Sequence, residues 1–141
     1  AEERRSAGRH LDEAAEALAE SWRLEKRFKA AAANLWVVAT LAKRSDLVEE
    51  LKQSYAIADF DENGMVNIAR AYQEVQDFAS ARDAYSVLVK AYPGNASYRA
   101  TYAALLARTG NPAEAKQQAA EAIRLDPSYE KEAKQFLRTA P

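Results

Sequence analysis

Cysteine is absent from the 141 residues, and histidine occurs once, at His10. Without thiols there are no disulfides, no thiolate metal ligands and no cysteine nucleophile. His10, in Gly8-Arg9-His10, has no recognisable nucleophile or metal partner beside it and reads as a surface residue. The four glycines are scattered singly, so they cannot form a phosphate-cradling loop. Acidic neighbours such as Glu2-Glu3 and Glu49-Glu50 would point about 100° apart on a helix, which is no acid/base dyad. No catalytic, cofactor-binding or metal-ligating residue is predicted, and the expectation is a protein that is not an enzyme.

Neither sign of charge is in excess. Lys and Arg number 20 against 21 Asp and Glu, a net charge of −1. Nucleic acids and anionic membranes are normally met by a clear basic excess, so neither is favoured as a partner. The one long uncharged run, residues 30–42, is 13 residues, short of the ~20 a spanning helix needs. It reads as a buried helix, and no direct membrane insertion is expected. The opening AEERRSAGRH lacks the apolar middle of a secretory signal.

What is present is a folded composition, 48% hydrophobic and 29% charged, long enough for one domain with a core. Residues 62–129 write one pattern twice. Ala69, Asp77, Ala81, Leu88, Pro93 and Asn95 are followed 34 residues later by Ala103, Asn111, Ala115, Ala122, Pro127 and Tyr129. A fixed period of this size signals helical hairpins in tandem.

The residue types at these spacings resemble the tetratricopeptide repeat, with its Trp-x-x-Leu-Gly-x-x-Tyr, Ala-x-x-x-Phe and Pro positions. The first copy reads Met65, Ile68, Ala69, Tyr72, Ala81, Tyr85 and Pro93, and the second reads Arg99, Tyr102, Ala103, Leu106, Ala115, Ala119 and Pro127. The resemblance implies an all-α, right-handed solenoid of antiparallel helical hairpins with about eight helices. It also implies that the first helix of each hairpin lines a concave face.

Taken in order, residues 1–27 read as the second helix of a truncated repeat. Residues 1–8 form a frayed or tag-like start; apolar or small residues recur with helical period at Leu11, Ala14, Ala15, Leu18 and Trp22, with Ala14 as the small packing residue. This open end predicts weak self-association, and the chain reads as part of a longer protein. Residues 28–61 form a degenerate copy. Its first helix carries Phe28, Leu35, Trp36, Val38 and Ala39; its second, capped by a box of Asp46 and Glu49, runs to about Asp59 with Val48, Leu51, Tyr55 and Ala58 inward. Residues 62–95 and 96–129 are the regular copies, with Asp77 as an N-cap and Gly110-Asn111-Pro112, supported by Glu114, as the strongest turn. Residues 128–141 form a capping helix, with Tyr129, Ala133, Phe136 and Leu137 inward and charge outward.

The groove implied by the resemblance draws Asn63, Val66, Asn67, Arg70, Gln73 and Glu74 from one first helix. Ser97, Ala100, Thr101, Ala104 and Arg108 come from the next, and Lys131, Gln135 and Arg138 from the capping helix. Such a surface suits a protein or peptide partner lying across it as an extended chain or a helix. Tetratricopeptide clamps for a peptide carboxylate use Lys and Asn where this chain has Val66 and Arg70, and Arg where it has Gln135. Only Asn67 and Lys131 match, so that clamp is not expected. The aromatics Trp36, Tyr72, Tyr85 and Tyr102 read as core, with Tyr92 and Tyr98 partly exposed.

Two further readings compete with a peptide-binding scaffold. The closing LDPSYEKEAKQFL text resembles the soluble tails of larger, membrane-embedded bacterial proteins such as O-antigen ligase-type glycan polymerases. RNA binding by the related pentatricopeptide repeats needs a positive groove, which Glu74 and the net charge of −1 oppose.

Overall fold

A computed structural model describes residues 2–139, giving only the backbone of residues 2, 3, 136, 137 and 139. The described residues form eight α-helices and no strand. They are α1 (Glu2–Leu24), α2 (Lys29–Leu41), α3 (Ser45–Lys52), α4 (Glu62–Glu74), α5 (Phe78–Ala91), α6 (Ala96–Arg108), α7 (Pro112–Leu125) and α8 (Glu130–Thr139). Short 3-10 turns cover Ile57–Asp59 and Pro127–Tyr129. The all-α class and the helix number are as expected.

Helices α2, α4 and α6 are each 13 residues long and begin 33 and 34 residues apart. The residue two beyond each helix is left-handed: Lys43 at φ 58°, Gln76 at φ 61° and Gly110 at φ 82°. At two of these ends the backbone closes the same way. Lys43 N–H reaches the Thr40 carbonyl and Arg44 N–H that of Ala39; Gly110 N–H reaches Ala107 and Asn111 N–H reaches Leu106. These paired bonds satisfy carbonyls that a helix end leaves open. The repeat in the sequence is therefore a repeat of helix lengths and turn geometry, and it extends back into residues 28–61.

The chain forms two compact units, residues 1–76 and 77–141. In the first, α2 packs on α1, α3 and α4, around the fully buried Trp22, Leu35, Trp36, Leu51 and Ile68. Gly64 lies where α4 approaches α2 closely: an added Cβ would sit 3.1 Å from both Asp61 Oδ1 and Phe60 Cβ and 3.5 Å from Ala33 Cβ.

Four expectations for this unit need correction. Residues 2–8 are not a frayed start but continue α1, since Glu, Arg and Ala are good helix formers. Ala14 is exposed, while Ala15, Ala19 and Trp22 are buried. The packing stripe thus keeps the expected Ala15 and Trp22 but takes Ala19 in place of Ala14, with Leu11 and Leu18 at its edge. The Asp46–Glu49 box does not form, because α3 begins at Ser45 and the Asp46 carboxylate is taken by Arg44 at 2.8 and 3.0 Å. Finally, α3 stops at Lys52 instead of Asp59, leaving Ala58 exposed and Tyr55 half-buried.

Aromatic side chains pack together where the chain leaves α3. Phe60 packs edge-on to Trp36 at 5.8 Å and against Tyr55 at 5.4 Å. Trp36 itself stands at the eighth position of its helix, where the later copies hold the fully buried Ala69 and Ala103. A large residue and a short partner helix compensate each other, as close packing requires.

In the second unit α6 packs on α5, α7 and α8. Ala81, Ala84, Ala103, Ala115 and Ala122 are fully buried, so helices approach closely through alanine. Ala133 of α8 joins Ala103 and Ala119, whereas Glu130, Lys131, Glu132, Lys134 and Arg138 are exposed as expected. The inward placement expected for Phe136 and Leu137 lies outside the described side chains. Asp77 caps α5 by accepting from Ser80 N–H at 3.1 Å. Asn111 does not cap α7: its amide turns back to the Thr109 carbonyl at 3.2 Å, and Glu114 accepts from the Tyr102 hydroxyl at 3.1 Å. Tyr92 and Tyr98 are half-buried and edge-to-face at 6.2 Å.

Candidate partner-binding groove

On α1 the stripe Ala15, Ala19 and Trp22 turns into the core, leaving Leu11 and Leu18 half-buried at its edge. On α2 the core takes Leu35, Trp36 and Ala39, while Val37, Val38 and Leu41 remain half-buried on the other side. The uncharged run is apolar around most of its circumference, so one helix serves both a core and a second surface. On α4 the core takes Met65, Ile68, Ala69, Ala71 and Tyr72, and the neighbouring stripe presents Asn67, Arg70 and Glu74.

Within the first unit these three helices enclose an open groove of about 800 Å³. Its floor is Leu11, Leu18, Val37, Val38, Leu41, Ala71 and Val75; its polar positions are Asn34, Asn67, Arg70 and Glu74. The four polar residues are exposed, and none makes a hydrogen bond or ion pair among the described residues. An apolar floor rimmed by unengaged polar groups is the form of a site that receives an apolar segment and orients it by a few hydrogen bonds.

The wall made by α1 is fastened by charge. The Arg44 guanidinium, in the turn after α2, reaches Asp12 at 2.6 Å and Glu16 at 2.5 Å on α1, besides Asp46 at 2.8 Å. Arg23 of α1 grips both carboxylate oxygens of Glu50 on α3 at 2.8 Å, and the Tyr55 hydroxyl donates to the Lys26 carbonyl. Hydrogen bonding to Arg44 holds the Asp46 carboxyl below its ordinary range, and bonding to Arg23 does the same for Glu50. The two guanidiniums are correspondingly harder to deprotonate.

Of the residues predicted to line a groove, the structure gathers Asn67, Arg70 and Glu74. Asn63 shares their stripe but stands in the first turn of α4, beyond the end of the groove, whereas Val66 and Gln73 lie on the neighbouring stripe and do not line it; Gln73 has an interaction of its own. In the second unit Ser97, Arg108, Lys131 and Gln135 are exposed and Thr101 is half-buried. The Arg108 guanidinium stacks 4.1 Å from the centre of the Phe78 ring. The floor residues Leu11, Leu18, Val37 and Leu41 were missing from the predicted set. Their signal was present as a second apolar stripe on α1 and α2 beyond the one needed for packing.

No group of three or more His, Asp or Glu side chains able to hold a metal occurs among the described residues, and none of their helices is long and apolar enough to cross a membrane. Neither a protein-family model nor a curated protein sequence matches the chain.

Proposed function

We propose that this chain is a non-catalytic interaction scaffold of the tetratricopeptide type, a right-handed solenoid of helical hairpins, which binds a peptide or helix of a protein partner. The observation that carries the reading is the groove of the first unit, whose apolar floor from α1, α2 and α4 is bordered by unengaged Asn67, Arg70 and Glu74. The family assignment is supported by the 13-residue helices at 33- and 34-residue spacing and by their shared left-handed ends. Burying the floor releases ordered water over apolar surface. Arg70 offers a fork of donors for a carboxylate or carbonyl, and Asn67 offers both a donor and an acceptor.

Selection of peptides from a random displayed library tests the proposal and does not require the natural partner to be identified. Selected peptides should carry apolar residues with an acidic group at a fixed distance. Their amide-shift perturbations should map to α1, α2 and α4. Leu18→Glu and Val38→Glu, verified as folded by circular dichroism, should abolish binding, because a charge would be buried under the ligand. Peptides that bind these variants as tightly as the parent would refute the groove as the site.

A further inference from the structure

Leu24 and Phe28 are the exposed large apolar side chains among the described residues, at 85% and 54% exposure. Both stand at one turn, Leu24 ending α1 and Phe28 preceding α2, and every residue from 23 to 30 is exposed. Cations surround them. Arg23, Lys26, Arg27 and Lys29 against Glu25 give this stretch +3 in a chain of net −1. Arg23 is engaged with Glu50, and Arg27 meets Glu25 at 3.0 Å with both side chains exposed. Two of the basic groups already lie over aromatic rings, Arg27 at 5.5 Å from the Phe28 centre and Lys26 at 5.4 Å from that of Trp22. Folding uses neither Leu24 nor the face of Phe28 that remains in water.

We propose that this turn is a contact point for an anionic lipid surface. Leu24 and Phe28 enter the boundary between headgroups and acyl chains, and Lys26, Arg27 and Lys29 lie at the level of the phosphates. Their aliphatic stems follow the apolar side chains inward while the charged ends stay wet. The contact is peripheral, in keeping with the lack of a crossing helix among the described residues. The overall charge of −1 does not oppose it, since charges beyond about 10 Å are screened at ordinary ionic strength.

The shape of the patch favours lipid over protein. A stable protein interface engages about 20–30 residues a side and is depleted in Lys at its centre. The turn offers eight exposed residues, four of them cationic. A bilayer needs no complementary partner surface and accepts a protruding tip.

The test is co-sedimentation of the full chain with phosphatidylcholine vesicles, with and without phosphatidylglycerol. Binding is expected to the anionic vesicles alone. Leu24→Ser with Phe28→Ser should weaken it about ten-fold or more. Lys26→Gln, Arg27→Gln and Lys29→Gln together should weaken it about a hundred-fold, at about five-fold per basic side chain. All five positions are exposed, so both variants should keep the parent circular dichroism and melting temperature. Equal binding to neutral and anionic vesicles, no binding to either, or binding unchanged in either variant would overturn the proposal. Binding to soluble polyglutamate as tight as to the vesicles, and indifferent to Leu24→Ser with Phe28→Ser, would assign the turn to an acidic protein instead. Concentration-dependent dimerisation removed by those two changes would assign it to a second copy; both results also overturn it.

Discussion

The indole Nε1 of Trp36 donates to the hydroxyl of Tyr72 at 2.9 Å inside the first unit, with both side chains buried. This bond joins α2 to α4 beneath the groove and satisfies a donor that apolar surroundings would otherwise penalise. Trp22 is the contrast, since its Nε1 is buried with no partner among the described residues. Tyr72→Phe should therefore destabilise the protein by about 1–3 kcal/mol, the cost of stranding a buried donor. Thermal unfolding checks this, and an unchanged melting temperature would show that the indole finds another acceptor.

The ion pairs that Arg44 and Arg23 make with the two carboxylates of α3 predict a loss of stability in acid. The Asp46 and Glu50 carboxyls are held below their ordinary range by Arg44 and Arg23. Their contribution is complete above the unfolded-state value of about 4 and disappears as pH falls through the depressed folded-state values. Arg44→Gln with Arg23→Gln should melt below the parent at pH 7, and the difference should shrink as the pH is lowered to about 3. A gap of constant size would mean that the guanidiniums act through packing rather than charge.

The left-handed ends of α2 and α4 carry side chains where α6 carries Gly110. A Cβ in this conformation costs about 1–2 kcal/mol, so Lys43→Gly and Gln76→Gly should each stabilise the protein by about 1 kcal/mol after the greater freedom of glycine in the unfolded chain is subtracted. Gly110→Ala should destabilise it by a similar amount, although an added Cβ meets nothing within 4 Å. Urea midpoints measure all three. A neutral Gly110→Ala would place the origin of the turn elsewhere.

Alanine spacing was the part of the fold most legible in the sequence. Ala81 and Ala115, picked out by the 34-residue repeat, are both fully buried, and Gly110 and Pro112 hold their expected places in the turn before α7, although Asn111 and Glu114 make other bonds than the expected cap. The copy at 28–61 was harder to read because it is one residue shorter in phase and holds Trp36 where the others hold alanine. Its second helix gives way to a loop whose aromatic contacts no local pattern encodes. The groove was half legible. Polar positions on α4 follow from helical periodicity, but which stripe faces the groove depends on how α1 and α2 dock, and that is set by long-range pairs such as Arg44 with Asp12. Ala115→Leu offers a direct check on the legible part. Overpacking α7 at this point should cost about 1–3 kcal/mol, read as a lower melting temperature.

The groove's polar rim makes the last prediction. Arg70 and Asn67 lie about one turn apart on α4, both exposed and both lining the groove, so a ligand carboxylate or carbonyl can take hydrogen bonds from the two at once. For a peptide selected on the parent, Arg70→Ala with Asn67→Ala should weaken binding by about 1–3 kcal/mol without changing the circular dichroism. Arg70→Lys separates the two ways in which Arg70 can act. If only its charge matters, lysine should preserve affinity at low salt and lose it at high salt. If the planar fork matters, lysine should lose most of the affinity at any salt concentration. Exposed Lys116 of α7, outside the groove, serves as the control: binding that resists the α4 changes but fails with Lys116→Ala would move the site away from α4 altogether.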